Sequence, residues 1–148
     1  MLVTNHVLSG ALIGTASRGP GEAFAFGVAS HFALDAVPHW GDWRDRQHFL
    51  HVAVRDGLAG LAVMGTITAM APAGRRLTVL AGMAGAALPD ADKPFRLVFG
   101  RSPWPRFVDR FHQGIQREAL SRAPVEVAAA AVFGGAALTL MRKRRRER

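Results

Sequence analysis

The chain contains no cysteine and no tyrosine, and its acidic side chains are few, 11 against 19 lysines and arginines. Without cysteine there can be no disulfide framework and no thiolate nucleophile or thiolate metal ligand. A metal ion, if one is held, must be held by histidine nitrogens and carboxylate oxygens. The formal charge of +8 points to an anionic partner: membrane headgroups, a phosphate-bearing substrate or nucleic acid. No stretch shows sustained strand alternation, and no charged segment precedes the first apolar run in the manner of a cleaved signal peptide.

At 148 residues the length suits one domain with a real core. Apolar runs separated by Gly/Pro-rich breaks predict an all-α chain, a compact bundle of about five to six helices. They cover roughly Val3–Ala16, Glu22–Ala36, Gln47–Met70, Arg75–Leu88, Phe107–Leu120 and Pro124–Met141. Pro38 disfavours helix at Val37, and Pro124 suits the first turn of the last helix. Residues 1–141 form the domain and 142–148 a basic tail.

Membrane association is expected. Gly57–Gly74 is uncharged, Val127–Met141 is apolar and leads directly into the basic tail, as in a positive-inside anchor. Gly10 and Gly14 fit close packing of the small-xxx-small kind. Most of the apolar runs are nevertheless shorter than the roughly 20 residues of a spanning helix. The expected location is the inner (cytoplasmic) membrane, with the tail on the cytoplasmic side.

His31 and Asp35 are one helical turn apart and share a face. A hydrogen-bonded pair explains most such spacings. Here the pair sits among Phe26, Val28, Phe32 and other apolar residues, where burying two polar groups is costly unless they are paired or bind something. Asp56 raises the same question in an apolar helix, with an interhelix ion pair to an arginine as the competing answer. Asp90, after Pro89 at the end of the fourth segment, opposes the helix dipole and needs positive compensation from Lys93 or a metal. His6 and His112 are individually ordinary.

Helix direction ties these residues together. With short loops, consecutive helices run antiparallel. The start of the first helix, the end of the second, the start of the third and the end of the fourth then share one end of the bundle. His6, His31, Asp35, Asp56, Asp90 and His112 therefore converge. His39 lies just past the Pro38 break, Asp92 is a candidate to orient a ligand, and His48 and His51 are bystanders. Arg44 and Arg101, in basic loops that also carry Trp40, Trp43 and Trp104, are candidates for a phosphate clamp.

Asn5-His6, His31-x-x-x-Asp35 with Pro38-His39, Leu88-Pro89-Asp90-x-Asp92, and His112 with Ile115-Gln116-x-Glu118 together resemble the membrane-bound metal-dependent hydrolase family. The motif pattern is similar to that of zinc-dependent phospholipase C. The resemblance implies a helical membrane protein with a divalent metal on His6, His31, Asp35, Asp90 and His112, and phosphoester hydrolysis. His39, Asp92 and Glu118 would support those ligands. In the last motif, where better-known members carry two histidines, this chain has His112 alone. Zinc is the first expectation, with manganese and iron equally suited to nitrogen and oxygen donors. Asp56 would be a further ligand or the general base.

The expected function is thus hydrolysis of a phosphoester or phospholipid-like substrate. The alternative is a non-catalytic membrane protein whose His/Asp cluster is a structural network or an ion pathway. A nucleic-acid binder ranks last, since no recognition motif or charged helical face is present.

Overall fold

Prolines and glycines set where the helices start and stop. Pro20 opens a helix at a position where its missing N–H has no intrahelical acceptor to lose. Gly100, at φ 70°, closes another in the left-handed conformation, its N–H bonding to the Arg96 carbonyl at 3.1 Å. The computed structural model describes residues 1–42 and 45–146; the side chains of Arg46 and Gln47 are outside that set.

The chain is all-helical: α1 (Val3–Ala16), α2 (Pro20–Asp35), α3 (Arg46–Met70), α4 (Arg76–Ala87), α5 (Asp92–Phe99), α6 (Arg106–Ile115) and α7 (Ala123–Arg146). Short 3-10 turns lie at Ala73–Arg75, Leu88–Ala91 and Leu120–Arg122. Among the described residues there is no strand. A single parallel bridge joins His39 to Glu118, with the His39 N–H bonding to the Arg117 carbonyl and the Ala119 N–H to the His39 carbonyl, both at 3.0 Å.

Three boundaries differ from the sequence pattern. α6 stops at Ile115 rather than near Leu120, because the following residues straighten to pair with His39. α5 forms inside the Pro/Arg-rich stretch expected to be loop. Its Pro94 falls in the first turn, where a missing N–H is tolerated. α7 runs on to Arg146 instead of ending at Met141, so residues 142–146 are helix.

α1 is the central element and packs against α2, α3, α4 and α7. Small residues let the backbones touch. A Cβ at Gly10 would stand 2.7 Å from the Met83 Cα, one at Gly14 2.6 Å from the Val79 Cα, and one at Gly27 2.9 Å from the Ala86 nitrogen. Around these contacts Val7, Ala11, Ile67, Val79, Met83, Ala137 and Met141 form the buried apolar core.

The end of the bundle where α1 and α3 finish is held by arginines. Arg75 Nη2 donates to the carbonyls of Gly14 (3.0 Å), Thr15 (3.2 Å) and Ser17. Arg144 reaches the Ala16 carbonyl at 3.5 Å, and Arg145 donates to the Met70 carbonyl. Cations at helix C-termini complement the macrodipole, and these contacts extend α7 through its basic residues.

Two helical stretches, His48–Met70 and Leu120–Arg146, are long and apolar enough to cross a membrane. Each rises more than about 30 Å, the thickness of a hydrocarbon core. Their outer faces are apolar and exposed, with Leu58 and Leu61 on α3 and Val127 and Val132 on α7.

The backbone contact yields a first prediction. Gly82→Ala is expected to lower stability by about 1–3 kcal/mol or more through overpacking, because its Cβ meets the Gly14 nitrogen at 2.9 Å. Gly57→Ala, whose Cβ meets nothing within 4 Å, is expected to be neutral or to stabilise by up to about 1 kcal/mol. Thermal unfolding of detergent-purified protein separates them. Equal midpoints would mean that α1 and α4 are not in backbone contact.

Candidate metal centre

The site grows from α2. His31 and Asp35 lie on adjacent turns, Nε2 to Oδ2 at 3.2 Å. The α4 backbone fixes the His31 ring: Nδ1 lies 2.7 Å from the Ala86 carbonyl. A carbonyl only accepts, so Nδ1 carries a proton, and Nε2 is the nitrogen turned to the cluster. Just beyond Ala86 the chain tightens into the 3-10 turn around Pro89, which turns the Asp90 carboxylate back toward the same point. Its Oδ1 is 3.7 Å from the Nε2 of both His31 and His112.

α6 brings the fourth group. His112 Nε2 is 2.8 Å from Asp35 Oδ2 and 2.9 Å from His31 Nε2. Phe32 packs against the rings of His112 and Phe111 and holds α6 to α2. One donor atom from each of His31, Asp35, Asp90 and His112 lies within 4.8 Å of every other, and all four residues are buried.

This donor set fits a metal ion. Four nitrogen and oxygen ligands around a tetrahedral zinc would be about 3.3 Å apart, given bonds of roughly 2.0–2.2 Å. The five pair distances above run from 2.8 to 3.7 Å. Protons can also join the cluster, one on His112 Nε2 being shared with Asp35 Oδ2 or His31 Nε2. The group can hold a metal ion because its four nitrogen and oxygen donors converge on one point.

Surrounding groups brace the cluster. His6 stacks on His31 with ring centroids 4.0 Å apart, its Nε2 3.1 Å from Asp35 Oδ1. Burial pushes the His6 imidazole down to about 4, against the pull of Asp35, so the ring is neutral near pH 7. The Met1 amino group donates to Asp35 Oδ1 at 2.7 Å, and Gln116 Nε2 lies 3.3 Å from Asp35 Oδ2. Burial would raise the Asp35 carboxyl, but hydrogen bonds from His112, His31 and His6 outweigh it and hold the group well below the usual range. Burial also raises Asp90, but the charge and hydrogen bond of Lys93 together with His31 and His6 outweigh it and lower the group to about 2. Lys93 Nζ forms an ion pair with Asp90 Oδ1.

The other residues singled out from the sequence have different places. His6 supports Asp35 from outside the four-residue group. Asp56 is corrected: among the described residues it is neither a member of that group nor an arginine's partner in an ion pair. Its Oδ2 accepts from the Val3 N–H at 2.6 Å, and its Oδ1 from the Thr4 N–H at 3.2 Å and the Thr4 hydroxyl at 2.6 Å. α1 has no cap from its own N-cap residue, Leu2, and a carboxylate from α3 supplies it. Both oxygens take part in this cap, Oδ2 through one hydrogen bond and Oδ1 through two.

His39 donates through Nδ1 to the Val37 carbonyl at 2.7 Å, and its Nε2 faces Glu118 Oε1 at 3.5 Å. Asp92 pairs with Arg96 at 3.5 Å, and burial raises its carboxyl. Arg101 is exposed between α5 and α6, while Arg44 lies outside the described residues. His48 bonds to Asp42 at 2.8 Å.

Two structural residues had no clear signal in the sequence. Glu126 accepts from Asn5 Nδ2 (2.6 Å) and the Leu2 N–H (3.2 Å) through Oε2, and from the Trp40 N–H (3.2 Å) through Oε1. Gln116 was visible only within the family-like motif.

No protein-family model matches the chain, and no curated protein or solved structure was found to be similar to it.

The reassignment of Asp56 has a direct consequence. Asp56→Asn replaces one of two accepting oxygens with an amide donor, and should lower stability by about 1–3 kcal/mol. Metal bound per chain should stay as in the parent. A loss of metal at unchanged stability would return Asp56 to the site.

Proposed function

We propose that this protein is a membrane-associated, metal-dependent hydrolase of a phosphoester or phospholipid-like substrate. The observation that carries the reading is the convergence of His31, Asp35, Asp90 and His112 at spacings that suit one divalent ion. Zinc fits this donor set best, and manganese or iron would also be accommodated. Such an ion supplies Lewis acidity toward a phosphoryl oxygen and toward water.

The chain's own residues have distinct parts in this reading. The Ala86 carbonyl fixes the His31 tautomer, and His6 and Gln116 orient Asp35, as hydrogen-bonded supports do around metal ligands. Lys93 balances the Asp90 charge and offers an ammonium to a phosphate. Arg101 lies on the surface and would meet a substrate phosphate only as part of the basic rim; Arg44 is assigned to that rim by sequence alone. Two possible spans and a run of arginines at the end of α7 favour an inner-membrane protein with its basic end on the cytoplasmic side.

A second reading has its own support. Four protein donors complete a tetrahedron, which is the habit of a structural ion, whereas catalytic sites keep a position open. A non-catalytic membrane protein with an ion-binding cluster would use the same residues.

Elemental analysis of detergent-purified protein is expected to give about one divalent ion per chain, lost in Asp35→Asn and His31→Ala. Both variants should lose chelator-sensitive phosphodiesterase activity. A metal content near zero ends both readings. Bound metal without activity toward any phosphoester favours the structural ion.

A further inference from the structure

An apolar groove of about 410 Å³ runs between α3 and the α4–α5 junction, a size typical of small-molecule sites. Val7, Phe49, Val52, Leu61, Ala87 and Leu97 are among its mainly apolar walls, to which Asp42, Asp56, Asp90, Lys93 and Glu118 add charged groups. Asp90 is also one of the four convergent groups of the metal centre. The groove therefore reaches that centre at Asp90, and most of its remaining surface is apolar.

A mainly apolar trough that reaches a cluster of polar groups matches a molecule with a chain and a polar head. The outer edge lies on α3, within one of the two stretches able to cross a membrane, where Leu58 and Leu61 are exposed. On the other side, beyond Leu97, α5 exposes Val98 and Phe99. In a bilayer, the first molecules to meet these edges are lipids, and their chains can enter sideways without crossing water.

We infer that this groove seats one hydrocarbon chain of a membrane lipid, with the lipid's head directed to the His/Asp cluster. The chain site rests on the groove alone. That the seated lipid is the substrate rests on the hydrolase reading above. Gly57 explains how the trough is kept open. It lines the groove, and a Cβ there would meet nothing within 4 Å. A larger side chain at this position would occupy the place of the lipid chain without displacing backbone.

The test uses the full chain in nanodiscs that contain a phospholipid with a photoreactive group in its acyl chain. Cross-linked peptides are mapped for the parent, for Gly57→Phe and for Ala53→Phe, a second groove-lining position that serves if the first variant does not fold. Labelling at residues 52–61 and 94–97 is expected in the parent. It should fall at least about tenfold in the variants, the effect of excluding roughly two methylenes from an apolar site. Labelling at Val127 and Val132 on the outer face of α7 should be unchanged. Groove labelling that is absent in the parent, or that persists in both variants, overturns the inference.

Metal content and turnover, measured on the same samples, keep the two ideas apart. The variants should retain metal and hydrolysis of bis(4-nitrophenyl) phosphate, which has no long chain, while losing hydrolysis of the phospholipid. Unchanged phospholipid hydrolysis with lost labelling would remove the seated lipid as the substrate. If the parent hydrolyses neither compound, the hydrolase reading fails, and the labelling still decides whether the groove holds a chain.

Discussion

The metal centre depends on the close approach of three backbones. Gly10 on α1, Gly27 on α2 and Gly82 on α4 meet where no side chain would fit. His6 precedes Gly10 by four residues, His31 follows Gly27 by four, and Ala86 follows Gly82 by four. α1 runs opposite to α2 and α4, so each step leads one turn, about 6 Å, toward the same end. The stacking of His6 on His31 and the bond from His31 to the Ala86 carbonyl are then direct consequences of the glycine contact. A wider spacing would put that carbonyl out of reach and leave the His31 tautomer unspecified.

Once the helices are so close, Asp35 becomes the electrostatic centre. A buried carboxylate without compensation is strongly destabilising. Here it is approached by the Met1 amine, three imidazoles and the Gln116 amide. His31, His112 and Asp90 also bring their own donor atoms to within 4.8 Å of one another and of Asp35. Structural networks usually finish with each donor matched to an acceptor. Convergence of four nitrogen and oxygen donor atoms on one point is what a cation site requires, and it distinguishes this cluster from the caps made by Asp56 and Glu126.

Those caps also mark how far the sequence could be read. Helix positions were legible because Pro and Gly interrupt the apolar pattern, and the meeting of His6, His31, Asp35, Asp90 and His112 followed from alternating helix direction. Asp56 was legible as a buried carboxylate at the correct end of the bundle, but not as a cap. Its partners are backbone N–H groups of another helix, which carry no residue identity. Glu126 escaped for the same reason, as two of its three donors are main-chain groups. α5 was hidden because proline in a first helical turn reads, in sequence, like proline in a loop. The extension of α7 was hidden because a run of arginines gives no sign of the carbonyls it will find.

The position of the cluster at the end of the bundle follows from the same energetics. A charged side chain near the middle of a bilayer is expensive, and this cluster lies instead at one end of the bundle, enclosed by protein. α1, α2 and α4 enclose the polar residues, and α3 and α7 carry exposed apolar faces outside them. A chain arranged in this way can keep ionisable groups at one end and hydrocarbon-compatible surface along its flank. The groove beside α3 has Asp90 of the cluster and apolar residues of α3 among its walls. Amphiphilic molecules are drawn to such a boundary, because neither a wholly polar nor a wholly apolar site would desolvate one part of them without leaving the other unsatisfied.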